Sequence, residues 1–378
     1  MAPNYQPSAD FALTSDHLIE EDSMLIWLRF GSRNFITSRG VGDLALYVQV
    51  FQNYQSKTPV YADSLIITQQ NVQWQNEKAV ARVRVPRSAL IPGGLVSITF
   101  YDRVGDQRNL TGIPLIAATL GKKFVVLEES SNLPLFRHYL NPADKFRIVT
   151  SYSDTAVSVL RYKPDFPPAL PPMSLSEKNV SPTIPVMGNY SLATRQVQQL
   201  TQPGLFALQP NQGSAGILLL MENEYPELTT PAELIDPLIY ITTTRERLAL
   251  LKADNPKIAI DKFWLSIGGS EQFTRTLIRA YYSRVVDANK LFSSHKPGWM
   301  SDRGMIYIVM GRPSQVNSYA DREEWIYTVT DNRPTTQFTF LRRDHDLTQN
   351  HYELVRDPVF EPVWYSAAEQ WRKGIIDP

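Results

Sequence analysis

The sequence of 378 residues contains no cysteine. This absence excludes disulfide bonds, thiolate metal sites and a cysteine nucleophile. Neither sign of charge dominates, because the sequence has 38 lysine and arginine residues and 38 aspartate and glutamate residues. No net field therefore favours nucleic acid, an anionic membrane or an acidic substrate as a partner. We expect a protein that does not bind nucleic acid.

Long apolar runs are absent as well. The longest, such as residues 216–221, are far shorter than the roughly 20 residues of a membrane-spanning helix. The opening residues Met1 to Tyr5 carry neither the charged nor the apolar region of a signal peptide. The sequence thus predicts either a cytoplasmic protein or an exported one whose signal is not among these residues.

What the sequence does contain, in its first 120 residues, is a series of short stretches in which apolar and polar residues alternate. The stretches are residues 25–30, 46–50, 81–85 and 96–100, with glycine-rich turns at 40–43 and 92–94. Alternation with a period of two predicts half-buried antiparallel strands, with Arg82 and Arg84 facing solvent. Because no helical stretch separates them, we predict a β-sandwich domain of immunoglobulin-like type over residues 1–120, with a barrel as the alternative.

Residues 121–225 are also β-rich and predict a second, smaller sandwich. The strand candidates are residues 123–127, 145–149, 156–160 and 216–221, the last expected to be buried on both faces. A proline-dense stretch follows the third of them, with prolines at positions 164, 167, 168, 171 and 172. Proline at this density cannot join a central ladder, so we predict a strap along the domain edge. A polyproline ligand for a partner is the alternative.

From residue 226 the apolar period lengthens to that of a helix. Thr244 is a candidate cap for a helix beginning at Arg245. Asn255 followed by Pro256 predicts a second helix, which Gly268 and Gly269 should end. Ser270 is predicted to cap a third and longer helix.

Strand-like runs follow the three helices. They are residues 305–310, 324–329, 337–341 and 352–355, and residues 366–373 predict a last short helix. Helices followed by strands form an α+β layer pair. We therefore predict an α+β domain over residues 226–378.

Five ordered blocks in this region resemble the GWxTD domain of bacterial envelope proteins. They are residues 262–265, residues 281–289, the heptapeptide Gly298-Trp299-Met300-Ser301-Asp302-Arg303-Gly304, residues 306–313, and residues 324–327 with Trp325. The resemblance covers roughly residues 228–355. Ser301 stands where the family name has threonine, which keeps the hydroxyl. Residues 266–269, Ser-Ile-Gly-Gly, depart from the more charged segment expected at this place in the family.

The resemblance implies a bacterial protein, of Bacteroidota or Acidobacteriota type, that is exported to the periplasm or outer membrane, frequently as a lipoprotein. It implies β-domains ahead of the GWxTD domain and no particular activity. We therefore expect a non-enzymatic adaptor or structural component of an envelope complex. Its partners would be other envelope or outer-membrane proteins. It would contact the membrane only through an N-terminal lipid anchor that has been removed from this sequence.

The heptapeptide itself supports two hypotheses. Gly298 and Gly304 indicate a tight turn feeding a strand, with Trp299 in the core. Asp302 can accept backbone N–H groups and Arg303 can bind a carboxylate, which makes the motif a folding clasp. The alternative is a hydrolase of envelope polymers that uses Asp302 as an acid and Arg303 as an anion clamp. The motif contains no nucleophile or base for that reaction.

The remaining polar candidates carry less information. Asp344, His345, Asp346 and His351 have ligand types that suit zinc or manganese. They lie between two strand candidates, where a solvated hairpin loop is expected, so we predict no metal site. Phosphate-loop, dinucleotide, His-Glu-x-x-His and EF-hand motifs are missing, and we expect no cofactor.

Aromatic residues are frequent in the first domain. Trp27, Tyr47, Phe51, Tyr54 and Trp74 are the candidates for a carbohydrate- or peptide-binding face, and most of them are expected in the core instead. A binding module is therefore the third hypothesis for function.

Overall fold

The structure is a computed structural model of the chain. It describes residues 13–175, 185–319, 321–328, 335–343, 348 and 350–375. Asp344, His345 and Asp346 lie outside the described residues, so the structure does not test them as metal ligands.

Two four-stranded antiparallel sheets form the first part of the chain. Their strands are β1 Thr14–Ile19, β2 Ser23–Ser32, β3 Leu44–Phe51, β4 Tyr61–Ile66, β5 Gln73–Gln75, β6 Lys78–Pro86, β7 Leu95–Asp102 and β8 Gln107–Pro114, with the short helices α1 Arg33–Thr37 and α2 Ala117–Leu120 and a 3-10 turn at Arg87–Ala89. One sheet has the order β1-β2-β6-β5 and the other β4-β3-β7-β8.

Alternation along these strands builds the core between the two sheets. In β3 the residues Leu46, Val48 and Val50 face inward, and in β7 Ile98 and Phe100 do the same. Burial of alternate aliphatic side chains stabilises a sheet pair by about 25 cal/mol per Å² of apolar area removed from water. The predicted antiparallel strands are confirmed, and they form two separate sheets rather than a closed barrel.

A second pair of sheets follows. Its strands are β9 Phe124–Glu128, β10 Tyr139–Leu140, β11 Lys145–Thr150, β12 Ala156–Tyr162, β13 Val186–Ala193, β14 Gln198–Gln199, β15 Gly204–Gln209 and β16 Gly216–Leu220. The sheet orders are β10-β16-β15-β12-β13 and β14-β11-β9. All neighbours are antiparallel except β10 and β16, which run parallel. Strand β16 is buried on both faces, as its unbroken apolar sequence predicts.

The last part of the chain combines helices with a four-stranded sheet. Its elements are α3 Pro231–Ile235, α4 Thr244–Leu251, α5 Pro256–Gly268, α6 Glu271–Phe292, α7 Asp302–Met310, β17 Gln315–Ser318, β18 Arg322–Tyr327, β19 Thr336–Arg342, β20 Tyr352–Leu354 and α8 Glu361–Arg372, with 3-10 turns at Asp236–Tyr240, Gly298–Met300 and Pro358–Phe360. The sheet is antiparallel in the order β17-β18-β19-β20. In the described part of the chain, no helix has the length and the hydropathy that a membrane span requires.

The helix boundaries follow the capping residues. Asn255 caps α5 and Ser270 caps α6 through their side-chain oxygens, and Gly269 ends α5 in the left-handed conformation, which confirms the three predictions. The first predicted boundary is wrong by one residue, because Thr243 is the cap and Thr244 is the first helical residue. Helix α8 begins at Glu361, five positions before the predicted start.

The predicted strand at residues 305–310 is wrong, because these residues belong to α7. A short apolar run rich in β-branched residues fits a buried strand or a buried helix equally well by pattern. The structure resolves the ambiguity through Ser301, whose hydroxyl accepts from the Gly304 N–H at 2.9 Å and starts a helix. Residues Asp302–Val309 are all buried, so no polar face marks the helix in the sequence.

Apolar surfaces join the three parts. The outer face of the β1-β2-β6-β5 sheet packs against β9 and its neighbours through Trp27, Val80 and Leu127. The outer face of β10 and β16 packs against Tyr225, just before the helical part. Surfaces of this kind bury apolar side chains that would otherwise be exposed to water, which favours contact between the neighbouring modules.

The proline-dense segment crosses from the second sheet pair to the helical part, beyond the domain edge that it was predicted to strap. Ala169 is buried in the core of the helical part, and its N–H donates to the Met300 carbonyl at 3.0 Å. Arg356 donates to the Leu170 carbonyl at 3.1 Å. The segment thus contributes to the domain that follows it.

His17 is buried where the first two parts meet, with Nε2 at 3.1 Å from the Thr119 carbonyl oxygen. Burial, and secondarily the positive charge of Lys122, lowers the pKa of His17 to about 4 from an ordinary value of 6.5. The unfolded chain therefore takes up a proton below pH 6.5 that the folded chain takes up only near pH 4. A group whose pKa is lower in the folded state destabilises the fold as pH falls through that window.

We predict that the free energy of unfolding falls by up to about 3 kcal/mol between pH 6.5 and pH 4 because of His17. Urea denaturation at pH 7 and at pH 4.5 measures the effect. His17→Gln should flatten the pH dependence in this window. An equally steep dependence in the variant would contradict the assignment.

Candidate functional site

The heptapeptide forms a 3-10 turn followed by the first turn of α7, and it packs directly on the backbone of α6. A Cβ atom at Gly298 would lie inside the carbonyl of Ala288, and one at Gly304 would lie inside the carbonyl of Gly298. Both positions therefore need glycine for the close approach of backbone to backbone rather than for a left-handed conformation.

Ser301 links the turn to the helix. Its hydroxyl donates to the Gly298 carbonyl at 2.7 Å and accepts from the Gly304 N–H at 2.9 Å. The second bond satisfies one of the N–H groups left free at a helix start. A threonine hydroxyl can make the same pair of bonds.

Trp299 is 6% exposed, so its predicted burial is confirmed. The Asn289 side chain of α6 accepts from the Trp299 N–H at 3.0 Å. The Trp299 carbonyl accepts from the Tyr240 hydroxyl at 2.8 Å, and the two rings meet edge to face. These contacts hold Trp299 between the 3-10 turn at Asp236–Tyr240 and helix α6.

Asp302 is 5% exposed and pairs with Arg356. Arg356 donates to both carboxylate oxygens, at 2.6 Å and 3.1 Å, and the Leu354 N–H donates at 2.7 Å. A bidentate arginine with an additional backbone donor compensates much of the cost of burying a carboxylate. The carboxylate thereby ties the start of α7 to the end of β20.

Arg303 is equally buried, at 6% exposed. Its guanidinium lies over the ring of Phe292 at 5.1 Å and over that of Tyr352 at 4.0 Å. It also donates to Glu323 at 3.3 Å and to the Asn350 carbonyl at 3.1 Å. In the folded protein the Arg303 guanidinium therefore contacts two aromatic rings, a carboxylate and a carbonyl oxygen.

The pair of Arg303 with the half-buried Glu323 extends to Trp325, which is buried. The indole N–H of Trp325 donates to the second oxygen of Glu323 at 3.1 Å. Among the described residues, sequence reasoning missed Arg356 and Asn289 as members of this arrangement. Arg356 stands in no motif that could mark it. Asn289 ends the block of residues 281–289, but nothing in that block indicates its bond to the Trp299 backbone.

His351 is the one predicted metal candidate that the structure describes. Its Nε2 lies 3.6 Å from a Glu353 oxygen, and its ring meets that of His295 edge to face at 4.9 Å. Among the described residues, no three histidine, cysteine, aspartate or glutamate side chains come close enough to hold a metal ion.

The aromatic residues that were candidates for a binding face lie partly in the core and partly at the surface. Trp27 is buried between the first two sheet pairs, and Trp74 is half-buried beneath the guanidinium of Arg33. Tyr54 is 37% exposed, and burial together with nearby Asp321 raises its pKa. Of the five aromatic residues, Tyr47 lines a groove.

That groove lies on the outer face of the β4-β3-β7-β8 sheet and has a volume of about 590 Å³. Its lining is Tyr47, Gln49, Ala62, Asp63, Ser64, Thr99, Tyr101 and Arg108. The Arg108 guanidinium covers one face of the Tyr101 ring at 4.7 Å. The groove combines aromatic rings with hydrogen-bonding groups in a shallow, open surface. Alternation along β3 and β7 places these side chains away from the core.

Residues 204–373 match the family model of the GWxTD domain. The chain contains a GWxTD domain. The matched range is longer than the 228–355 estimated from the five blocks, and it begins at β15, inside the second sheet pair. A search of curated proteins found no match. The resemblance drawn from the motif is thus confirmed, and the GWxTD heptapeptide of this chain is a packing centre whose acid and arginine are both paired internally.

We predict that Gly298→Ala destabilises the GWxTD domain by several kcal/mol, on the order of 3 or more, because its methyl group would overlap the Ala288 carbonyl. Thermal unfolding followed by circular dichroism measures the loss. Gly188→Ala is the matched control, since a Cβ there meets no atom within 4 Å. Equal melting temperatures for the two variants would refute the close-approach explanation.

Asp302→Asn is expected to cost about 3–5 kcal/mol, because it leaves the largely buried Arg356 cation without its partner. Denaturant unfolding measures this cost. Asp165→Asn, which breaks an exposed pair with Lys163, should cost about 1 kcal/mol or less. A fully stable Asp302→Asn protein would mean that the carboxylate is not needed for folding and would restore it as a candidate for chemistry.

Proposed function

We propose that this protein is a non-enzymatic adaptor of the bacterial cell envelope. The observation that carries the proposal is the internal pairing of Asp302 with Arg356 and of Arg303 with Glu323. Both motif residues that the hydrolase hypothesis needs are buried and engaged in stabilising the domain. The hydrolase alternative therefore gains no support from the motif.

We infer that both sheet pairs are β-sandwiches of the immunoglobulin-like type. In that fold the first, second, fifth and fourth strands form one sheet, and an additional strand joins the third, sixth and seventh in the other. With β4 as the additional strand, the orders β1-β2-β6-β5 and β4-β3-β7-β8 fit this arrangement. In the second sheet pair, β13-β12-β15-β16 corresponds to β4-β3-β7-β8, and β9-β11-β14 corresponds to β1-β2-β6. No described strand takes the place of β5 there, and β10 is added parallel to β16. The outer sheet faces of modules of this kind can serve as extended docking surfaces.

An adaptor has to hold its docking surfaces at fixed positions. Trp27 and Leu127 contribute to a continuous apolar boundary between the two sandwiches, and Tyr139 and Tyr225 contribute to one between the second sandwich and the GWxTD domain. Large apolar boundaries favour a rigid arrangement over independently moving domains. This rigidity supports a scaffold more directly than it supports a catalyst.

The first sandwich offers the docking surface. One of its outer faces covers the second sandwich, while the other carries the groove with Tyr47, Tyr101 and Arg108. Tyrosine and arginine are enriched among the residues that dominate binding energy at protein interfaces. We propose that an envelope or outer-membrane protein docks on this face.

Affinity purification of the tagged full-length protein from its native envelope tests the adaptor proposal. We expect the wild type to recover an envelope partner, and the double variant Tyr47→Ala with Tyr101→Ala to lose it. Tyr365→Ala is the control, because Tyr365 is exposed on α8, far along the chain from the groove. Recovery of the wild-type protein alone would count against the adaptor.

Carbohydrate binding in the same groove is the second candidate function. The rings of Tyr47 and Tyr101 lie beside Gln49, Thr99 and Arg108, which supply hydrogen-bond donors and acceptors. Isothermal titration with soluble envelope-glycan fragments tests this candidate against the adaptor. Heat of binding that disappears in the double tyrosine variant would favour a carbohydrate ligand over a protein partner.

A further inference from the structure

Strand β13, Val186–Ala193, lies at an edge of the second sandwich and, among the described residues, pairs only with β12. Its sequence, Val-Met-Gly-Asn-Tyr-Ser-Leu-Ala, contains neither a charged residue nor a proline. Folded proteins commonly protect edge strands with charge, proline, bulges or very short length, because an open edge pairs with other chains. Apart from one register shift near Tyr162, β13 has none of these protections.

The other edge strands of five or more described residues are protected. Strand β1 carries Asp16, β4 carries Asp63, β8 carries Arg108 and β9 ends in Glu128. The remaining edges are strands of two to four residues, namely β5, β10, β14, β17 and β20. Among the described edge strands of five or more residues, the absence of charge is therefore particular to β13.

The outer side of β13 is open to a partner within the described part of the chain. No backbone hydrogen bond among the described residues reaches Val186–Leu192 from that side, and the Gln198 side chain donates only to the carbonyl of Ala193. Val186 and Met187 are 53% and 56% exposed. The edge thus presents unpaired backbone groups next to exposed apolar side chains.

We propose that β13 pairs antiparallel with β13 of a second copy of this chain, forming a dimer with a two-fold axis. An antiparallel edge is self-complementary about such an axis. Because β13 is uncharged, self-pairing places no like charges opposite each other. The chain as a whole has 38 positive and 38 negative residues, so no net repulsion opposes the approach of two copies.

The position of β13 leaves room for the second copy. In the order β10-β16-β15-β12-β13, it is the strand furthest from β10 and β16, whose outer face contacts the GWxTD-domain side of the chain. One strand pair buries less surface than the 1,200–2,000 Å² typical of stable complexes, so we expect a dissociation constant of roughly 1–100 μM. The dimer is independent of the proposed adaptor function.

Sedimentation velocity of the full-length protein over a range of about 1–200 μM, which brackets that constant, tests the proposal. We expect concentration-dependent dimerisation of the wild type. Asn189→Lys and Ser191→Lys, at exposed positions of β13, should each weaken it by about tenfold or more, because the dyad brings the two introduced charges together. Gln107→Lys, at an exposed position of the edge strand β8, is the matched control and should dimerise like the wild type.

Unchanged thermal unfolding of each lysine variant establishes that it remains folded. A wild-type protein that is monomeric at every concentration would overturn the proposal. A dimer that both β13 variants leave intact would also overturn it, since the interface would then lie elsewhere. Capture of an extended segment of another protein by a monomeric wild type would assign the edge to that occupant instead of a second copy.

Discussion

The carbonyl oxygen of Ala288 occupies the space that a side chain at residue 298 would need, and the arrangement of the GWxTD domain depends on that close approach. With glycine there, the turn lies against α6 and Asn289 reaches the backbone of Trp299. Helix α7 then starts at a defined place, so that Asp302 meets Arg356 beyond the last strand. A backbone contact thus positions the charged pairs, and the charged pairs join the helices to the sheet.

Local signals in the sequence predicted much of the fold. The α5 boundaries could be predicted because Asn255, Pro256 and Gly269 each act on neighbouring backbone groups. The strands of the first sandwich were recognisable because one face of each meets water. Helix α7 was mistaken for a strand because its residues are buried on every side, which removes the periodicity that distinguishes the two. Strand order and the boundaries between modules depend on contacts distant in sequence.

The site was predictable in part. The motif marked Asp302 and Arg303 as important, yet their roles depend on partners such as Arg356 and Phe292 that no spacing rule connects with them. Whether an acid is catalytic or structural is decided by its surroundings, and here those surroundings are a guanidinium and a backbone N–H. In the groove, Tyr47 was among the aromatic candidates, whereas Arg108 became visible only when β8 was placed beside β7.

Ala169 is part of the core of the GWxTD domain although it lies outside the matched range 204–373. Conversely, β15 and β16 lie inside that range, at its beginning, but belong to the second sandwich. The segment recognised by sequence and the segment that folds as a unit therefore have different limits. Recombination of genes at the limits of the sequence family would divide one sandwich and leave the neighbouring core open. A segment that keeps both of these cores whole must therefore include the second sandwich together with the GWxTD domain.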